Sequence, residues 1–275
     1  LHGMAEHSAR YAPLAEALTA AGYAVYAHDH RGHGRTASDA DHGYLADADG
    51  WRTVVGDARA VTRLAREEHP GLPVFLVGHS MGSFLAREYV IEDSDDLTGL
   101  VLSGTAGDPG ALGAVGLGLA RLEARLRGPR HTSTLMDTLT FGQYNAAFKP
   151  NRTKFDWLSR DEAQVDAYVA DVKCGQVFTS GFFVDLLGGL RAVNDDSRVA
   201  RVRPDLPILL IAGDKDPVGA GGKGPRAVRE QYGAAGVADV TCTLYPGARH
   251  EIFNETNREE VVSDLVAWLD AHLPG

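Results

Sequence analysis

The sequence predicts an α/β protein whose mostly parallel sheet carries helices on both faces. Three observations predict it. Continuous apolar runs of strand length recur along the chain (PVFLV, GLVLS, PILLIA, VTCTLY), helix-like text separates them, and Gly or Pro punctuates the joins. Strands covered on both faces read as unbroken apolar runs, and parallel neighbours require a crossover, usually helical.

The segment from Ala9 to Ala20 is helix-like and stops at Gly22, because glycine suits the left-handed turn that ends a helix. Tyr23 to Ala27 (YAVYA) then reads as a short buried strand. Trp51 to Glu68 reads as a helix with HPGLP as its exit, Pro73 to Val77 as a strand, and the text from Met81 through Glu92 as a helix. Gly99 to Ser103, Pro207 to Ala212 and Val240 to Tyr245 supply further strands, with a helix near Arg226 to Tyr232. The last helix, Asn257 to His272, places Val261, Val262, Leu265, Trp268 and Leu269 at helical spacing, and Thr256 with Glu259 predicts a capping box at its start.

Between Thr105 and about Val202 the alternation stops, and charged, aromatic-bearing helical text replaces it. A structureless connection of that length is improbable in a compact domain. The division predicted is a core of residues 1–105 and 203–275, with 106–202 as a helical cap insertion.

Bulk properties exclude several classes. A chain of 275 residues suits one medium domain or one domain with an insertion. Its net charge of −10 argues against nucleic acid or anionic membrane as the main partner, since phosphate binding needs clustered Lys and Arg. Cys174 and Cys242 lie far apart without CxxC spacing, so no disulfide framework or zinc motif is expected and both read as buried small hydrophobes. The longest apolar run, GALGAVGLGLA at 110–120, reaches about half the length of a membrane span. A cytoplasmic location is expected. Because the chain opens on Leu1, an upstream segment is expected to have been removed.

Gly78, His79, Ser80, Met81 and Gly82 match G-x-S-x-G between a predicted strand and a predicted helix. In such a corner the serine takes a strained backbone conformation, and small residues at Gly78 and Gly82 let strand and helix approach. The hydroxyl is pushed outward, and the Met81 N–H is aimed where an oxyanion would form. A helix-capping serine is the bland alternative, so partners must decide. Serine needs a base, and of 11 histidines His250 is best placed, in a turn after the last strand. An acid must orient that imidazole. LIAGDKDPV supplies Asp216, further out on its loop, ahead of Asp214, which is better placed to cap its own turn; Asp108 is a distant third. A glycine turn at His2-Gly3 offers the Met4 N–H as a second oxyanion donor. His2 and His7 have ligand chemistry, but no third ligand stands at a suitable spacing and no metal is expected. DHRGHGRT lacks a Walker lysine and a G-x-G-x-x-G pattern, so its glycines read as a tight structural loop.

Taken together, HGMAEHSARY, DHRGHGRT, GHSMGS, GDKDPV and YPGARHEIFNE resemble the monoacylglycerol lipase and lysophospholipase-like branch of the α/β-hydrolases, whose domain is also labelled serine aminopeptidase. The likeness runs over nearly the whole chain, including the cap text FGQYNAAFKPNRTKFDWLSRDEAQVDAYVAD. It implies the α/β-hydrolase fold, a triad of Ser80, Asp216 and His250, and backbone donors at Met4 and Met81. It also implies a cap over an acyl pocket, no cofactor, and hydrolysis of single-chain lipid esters through an acyl-enzyme. Members of that branch have strands before the HG turn, which are expected in the native protein. The apolar text GALGAVGLGLARLEARL is expected to form either a greasy entrance with transient lipid contact or an ordinary packed helix. Two rival functions stand beside the lipase reading. One is an amide-cleaving aminopeptidase that holds a substrate ammonium with Glu162, Asp166 or Asp171; the other is a non-catalytic binding protein on the same fold.

Overall fold

Unbroken apolar runs become the centre of a sheet because nothing polar interrupts either of their faces. The computed structural model describes residues 1–274. In it β1 (Phe75–His79), β2 (Gly99–Ser103), β3 (Ile208–Gly213) and β4 (Val240–Tyr245) pair side by side in parallel, in that order. Every residue of β2 and β3 is buried. Their side chains alternate between two cores, as the period of two requires. Leu100, Leu102, Ile208 and Leu210 enter one, and Val101, Leu209 and Ile211 enter the other.

The helices in chain order are α1 (Ala12–Ala20), α2 (Gly50–Glu68), α3 (Met81–Glu92), α4 (Gly110–Arg127), α5 (Thr134–Phe141), α6 (Glu162–Ala170), α7 (Ser180–Val193), α8 (Asp196–Val199), α9 (Lys223–Ala234) and α10 (Arg258–Ala271). α1 and α10 cover one face through Leu14, Leu18, Val261, Leu265 and Leu269. α2, α3 and α9 cover the other through Val54, Val55, Leu85, Tyr89, Val228 and Tyr232. Helices α4 to α8 all fall between β2 and β3. Of these, α7 drives Phe182, Phe183 and Val193 into the core shared with α2, α3 and α9, so this stretch is anchored to the sheet layer. No helix of the described residues is long and apolar enough to cross a membrane.

Two local expectations fail. Tyr23 to Ala27 forms no strand, and Ala24, Val25 and Ala27 are exposed. A strand exists only through its ladder, and among the described residues this segment has no ladder partner. A cavity of about 460 Å³ adjoins both it and β1, lined in part by Leu14, Leu18, Val25, Val61, Phe75 and Val77. Leu1 is the residue that meets the outer edge of β1, its amine donating to Val77 O at 2.6 Å and its carbonyl accepting from His79 N at 2.9 Å. The capping box also fails. Asn257 is the N-cap of α10 and makes no side-chain cap bond, because the buried Glu255 carboxylate takes the Thr256 N–H instead.

Candidate active site

The turn between β1 and α3 is built by close backbone approach. Ser80 has φ 52° and ψ −120°, a conformation that costs a residue with a Cβ of order 1–3 kcal/mol. Hydrogen bonds hold it there: Ser80 N–H to Ser103 O at 2.9 Å, and Ser83 N–H and Oγ to Ser80 O at 2.9 and 2.6 Å. A Cβ on Gly78 would lie 2.3 Å from Gly82 O, and one on Gly82 would lie 2.2 Å from Leu1 O. Only glycine fits either place. Over this corner lies the HG turn, where a Cβ on Gly3 would come within 3.1 Å of Ser80 Cβ.

His250 and Asp216, 34 residues apart, meet in the interior. His250 Nδ1 stands 3.0 Å from both carboxylate oxygens of Asp216, and the two residues are 3% and 0% exposed. Asp216 is fixed in turn, since its Oδ1 accepts the Val218 N–H at 2.8 Å. Burial alone would lower the His250 pKa, but the adjoining Asp216 carboxylate outweighs it and holds the imidazole above its ordinary value. The ring lies between His79 (centroids 4.7 Å apart) and Trp157 (5.1 Å). His79 is held neutral, its pKa pushed well down by burial and then by the neighbouring His250. Among the described residues neither His250 Nε2 nor Ser80 Oγ makes a hydrogen bond within 3.5 Å, so the structure joins acid to base directly and leaves the hydroxyl unbonded.

Met81 opens α3, and its N–H is one of the orphan donors of a helix start. Met4 lies in the HG turn, before Ala5 at φ 58°. Neither N–H has a partner among the described residues. That turn is pinned by a buried network the sequence reading missed. Glu6 Oε1 accepts the Gly3 N–H at 2.6 Å and the Tyr11 hydroxyl at 2.7 Å. Arg10 bridges Glu6 (2.7 Å) to Glu251 (2.5 and 2.7 Å), tying the HG turn to the residue beside His250. The legible signal was Glu6 and Arg10 four apart in apolar text, with a carboxylate adjoining the histidine.

The other candidates fall elsewhere. Asp214 Oδ1 accepts the Gly247 N–H at 2.7 Å, so it braces the histidine loop instead of capping its own turn. Asp108 Oδ1 accepts the Gly110 N–H at 2.8 Å, at an exposed helix start. Cys174 is buried, whereas Cys242 is only partly so. In DHRGHGRT the Asp29 carboxylate accepts from Ser8 N–H, Ser8 Oγ and Arg35 N–H at 2.6–2.8 Å, which makes it a structural loop beneath the site.

His2 is a structural residue. Its Nε2 accepts the His30 N–H at 2.9 Å, and its ring packs 4.0 Å from that of His30 and 5.1 Å from that of His33. Burial lowers the pKa of His2 and of His33 to about 3. The unfolded chain binds protons at these sites near pH 6.5 and the folded chain does not, so their stability is complete above that pH and is lost as pH falls below it. At pH 5 each costs about 2 kcal/mol; His250, shifted the other way, offsets part. Calorimetry should show Tm falling on the order of 10 °C between pH 7 and pH 5, and an unchanged Tm would refute neutral burial of this pair.

The family model described as serine aminopeptidase, S33, matches residues 1–257. A monoacylglycerol lipase of Mycolicibacterium smegmatis is 31% identical over 99% of this chain and 87% of its own length. A monoglyceride lipase of Homo sapiens is 30% identical over 92% and 75%. Among solved structures, a thermostable carboxyl esterase from Bacillus coagulans superposes with a TM-score of 0.92 at 30% identity, covering 98% of this chain and 88% of that one.

Proposed function

The chain belongs to the serine aminopeptidase S33 family of α/β-hydrolases and is a carboxylic ester hydrolase; from that premise we propose that it cleaves single-chain lipid esters, monoacylglycerols first, through an acyl-enzyme on Ser80. The observation that carries this reading is the buried His250–Asp216 pair, with Nδ1 held on the carboxylate and Nε2 without a partner among the described residues, in a chain whose Ser80 stands at a strained strand-to-helix corner. His250 takes the Ser80 proton as the hydroxyl attacks the ester carbonyl, and Met4 and Met81 N–H groups receive the oxyanion. The imidazolium, stabilised by Asp216, returns the proton to the leaving glycerol, and water repeats the sequence to release the fatty acid.

Residues 106–202 act as the cap in this reading, and α4 is its lipid-facing element. Leu112, Val115, Leu119, Leu122 and Leu126 recur at helical spacing and are exposed, Leu112 by 84% and Leu126 by 74%. A contiguous apolar face of this kind suits contact with a lipid surface. Each of the three carboxylates named for the amide-cleaving alternative already has a partner: Glu162 and Asp166 pair with Arg152, at 3.8 and 2.5 Å, and Asp171 pairs with His7. One panel tests the reading: vesicle-borne monoacylglycerols, a soluble short-chain ester and aminoacyl anilides. Turnover should favour the monoacylglycerols, and Leu112→Asp with Leu126→Asp should slow only the vesicle-borne substrates. Faster anilide than ester cleavage would reverse the assignment, and equal slowing of all substrates would remove the lipid contact.

A further inference from the structure

Behind the HG turn, three side chains with metal-ligand chemistry meet that the ester mechanism does not use. His7 Nε2 lies 2.8 Å from Asp171 Oδ2, and those atoms and the Cys174 sulfur all fall within 4.8 Å of one another. No other such group of three occurs among the described residues. His7 comes from the turn that carries Met4. Asp171 and Cys174 come from the connection between α6 and α7, which is why no third ligand stands near His7 in sequence.

That connection is already shaped. Asp171 Oδ1 accepts the Lys173 N–H at 2.8 Å, which fixes the carboxylate, and the Cys174 N–H closes the turn on Asp171 O at 3.0 Å. The Gly175 N–H and the Tyr168 hydroxyl both donate to Ala5 O, at 2.9 and 2.8 Å, so the two segments are clamped together beside the trio. We infer that His7, Asp171 and Cys174 form a binding site for a borderline-soft divalent cation of the zinc type, bridging the HG turn to the cap.

The donor set fits that class. Zinc takes mixed nitrogen, oxygen and sulfur ligands at about 2.0–2.3 Å, which places ligand atoms roughly 3.5 Å apart in a tetrahedron with water in the fourth position. The present spacing reaches that by side-chain movements of about 1 Å. Neutral imidazole, carboxylate and thiolate balance the charge of the ion. The neighbouring Arg10 is already matched by Glu6 and Glu251 and leaves no excess positive charge to repel it. On binding, a metal–sulfur bond replaces the S–H bond and that proton goes to solvent; the proton on His7 Nε2 moves by way of solvent to Nδ1, leaving the ring neutral, and the His7–Asp171 hydrogen bond gives way to two metal bonds. A thiol must lose its proton to become a ligand, so affinity rises with pH and one proton leaves per ion.

The site is separate from Ser80 and His250, so its failure leaves the proposed ester chemistry untouched. Titration of the full chain with Co²⁺ should produce thiolate-to-cobalt charge-transfer absorption at one ion per chain, abolished by Zn²⁺. Zn²⁺ but not Mg²⁺ should raise Tm. Cys174→Ser should remove the absorption and weaken Zn²⁺ binding by ~100-fold or more, beyond the loss typical of an outer partner. Asp171→Asn should weaken binding at least ~10-fold, and Cys242→Ser should change neither. An absent thiolate band, or one that survives Cys174→Ser, overturns the inference. If Cys174→Ser does not fold, unchanged Zn²⁺ affinity in Asp171→Asn does the same.

Discussion

Replacing Ser80 by alanine is expected to lower ester turnover by ~10³-fold or more, the scale at which loss of a nucleophile leaves only binding and oxyanion stabilisation. The fold should survive. Among the described residues Ser80 Oγ makes no hydrogen bond, and the backbone bonds of the corner, to Ser103 O and from Ser83, do not involve it. Stability should therefore change by no more than ~0.5 kcal/mol. Ser80→Gly separates strain from chemistry. Glycine adopts φ 52° without a Cβ penalty, so this variant should be equally inactive yet melt higher than the parent, by up to the ~1–3 kcal/mol such a backbone stores. Turnover, fluorophosphonate labelling and calorimetry on the three proteins check this together. Retained turnover or labelling in Ser80→Ala would mean the nucleophile is another residue.

Asp216→Asn should cost ~10⁴-fold in kcat with KM little changed, by the same logic that makes the orienting carboxylate of a triad indispensable. Two carboxylate oxygens now face the His250 Nδ1–H at 3.0 Å. An amide presents an N–H on one side, which favours the tautomer with the proton on Nε2, the nitrogen that has to accept it. The pH profile supplies a second readout. In the proposed role of base His250 has to be neutral, so activity is expected to fall as pH drops through its pKa, which Asp216 holds above the ordinary histidine value. Removing the charge should move that acidic limb to lower pH. Turnover within about tenfold of the parent, or an unmoved limb, would show that Asp216 does not orient the base.

Parts of this site were legible because their signals are local. Gly78 and Gly82 flank Ser80 in five consecutive residues, and each is required by contacts within the same corner or at its rim. His250 and Asp216 stood out because each follows an apolar run, and a loop after a parallel strand opens at the carboxyl edge of the sheet. Glu6, Arg10 and Glu251 were not singled out. Charged residues are ordinarily solvent-facing, and only the fold shows that 241 residues of chain bring Arg10 onto Glu251.

The same division explains the misread elements. YAVYA has the composition of a strand, but strand structure is a property of pairs and among the described residues no ladder partner lies alongside it. Thr256 and Glu259 had capping-box spacing, yet the buried Glu255 carboxylate captured the Thr256 N–H. What the sequence by itself determined was the class of fold, its β1 to β4 strands and the glycine-flanked corner at Ser80, because burial periodicity and turn chemistry act over a few residues. Which acid meets which base, how the HG turn is braced, and how His7 finds Asp171 and Cys174 were decided only by tertiary structure. Those encounters depend on how far chain-distant loops are carried toward one another, a distance no local pattern encodes.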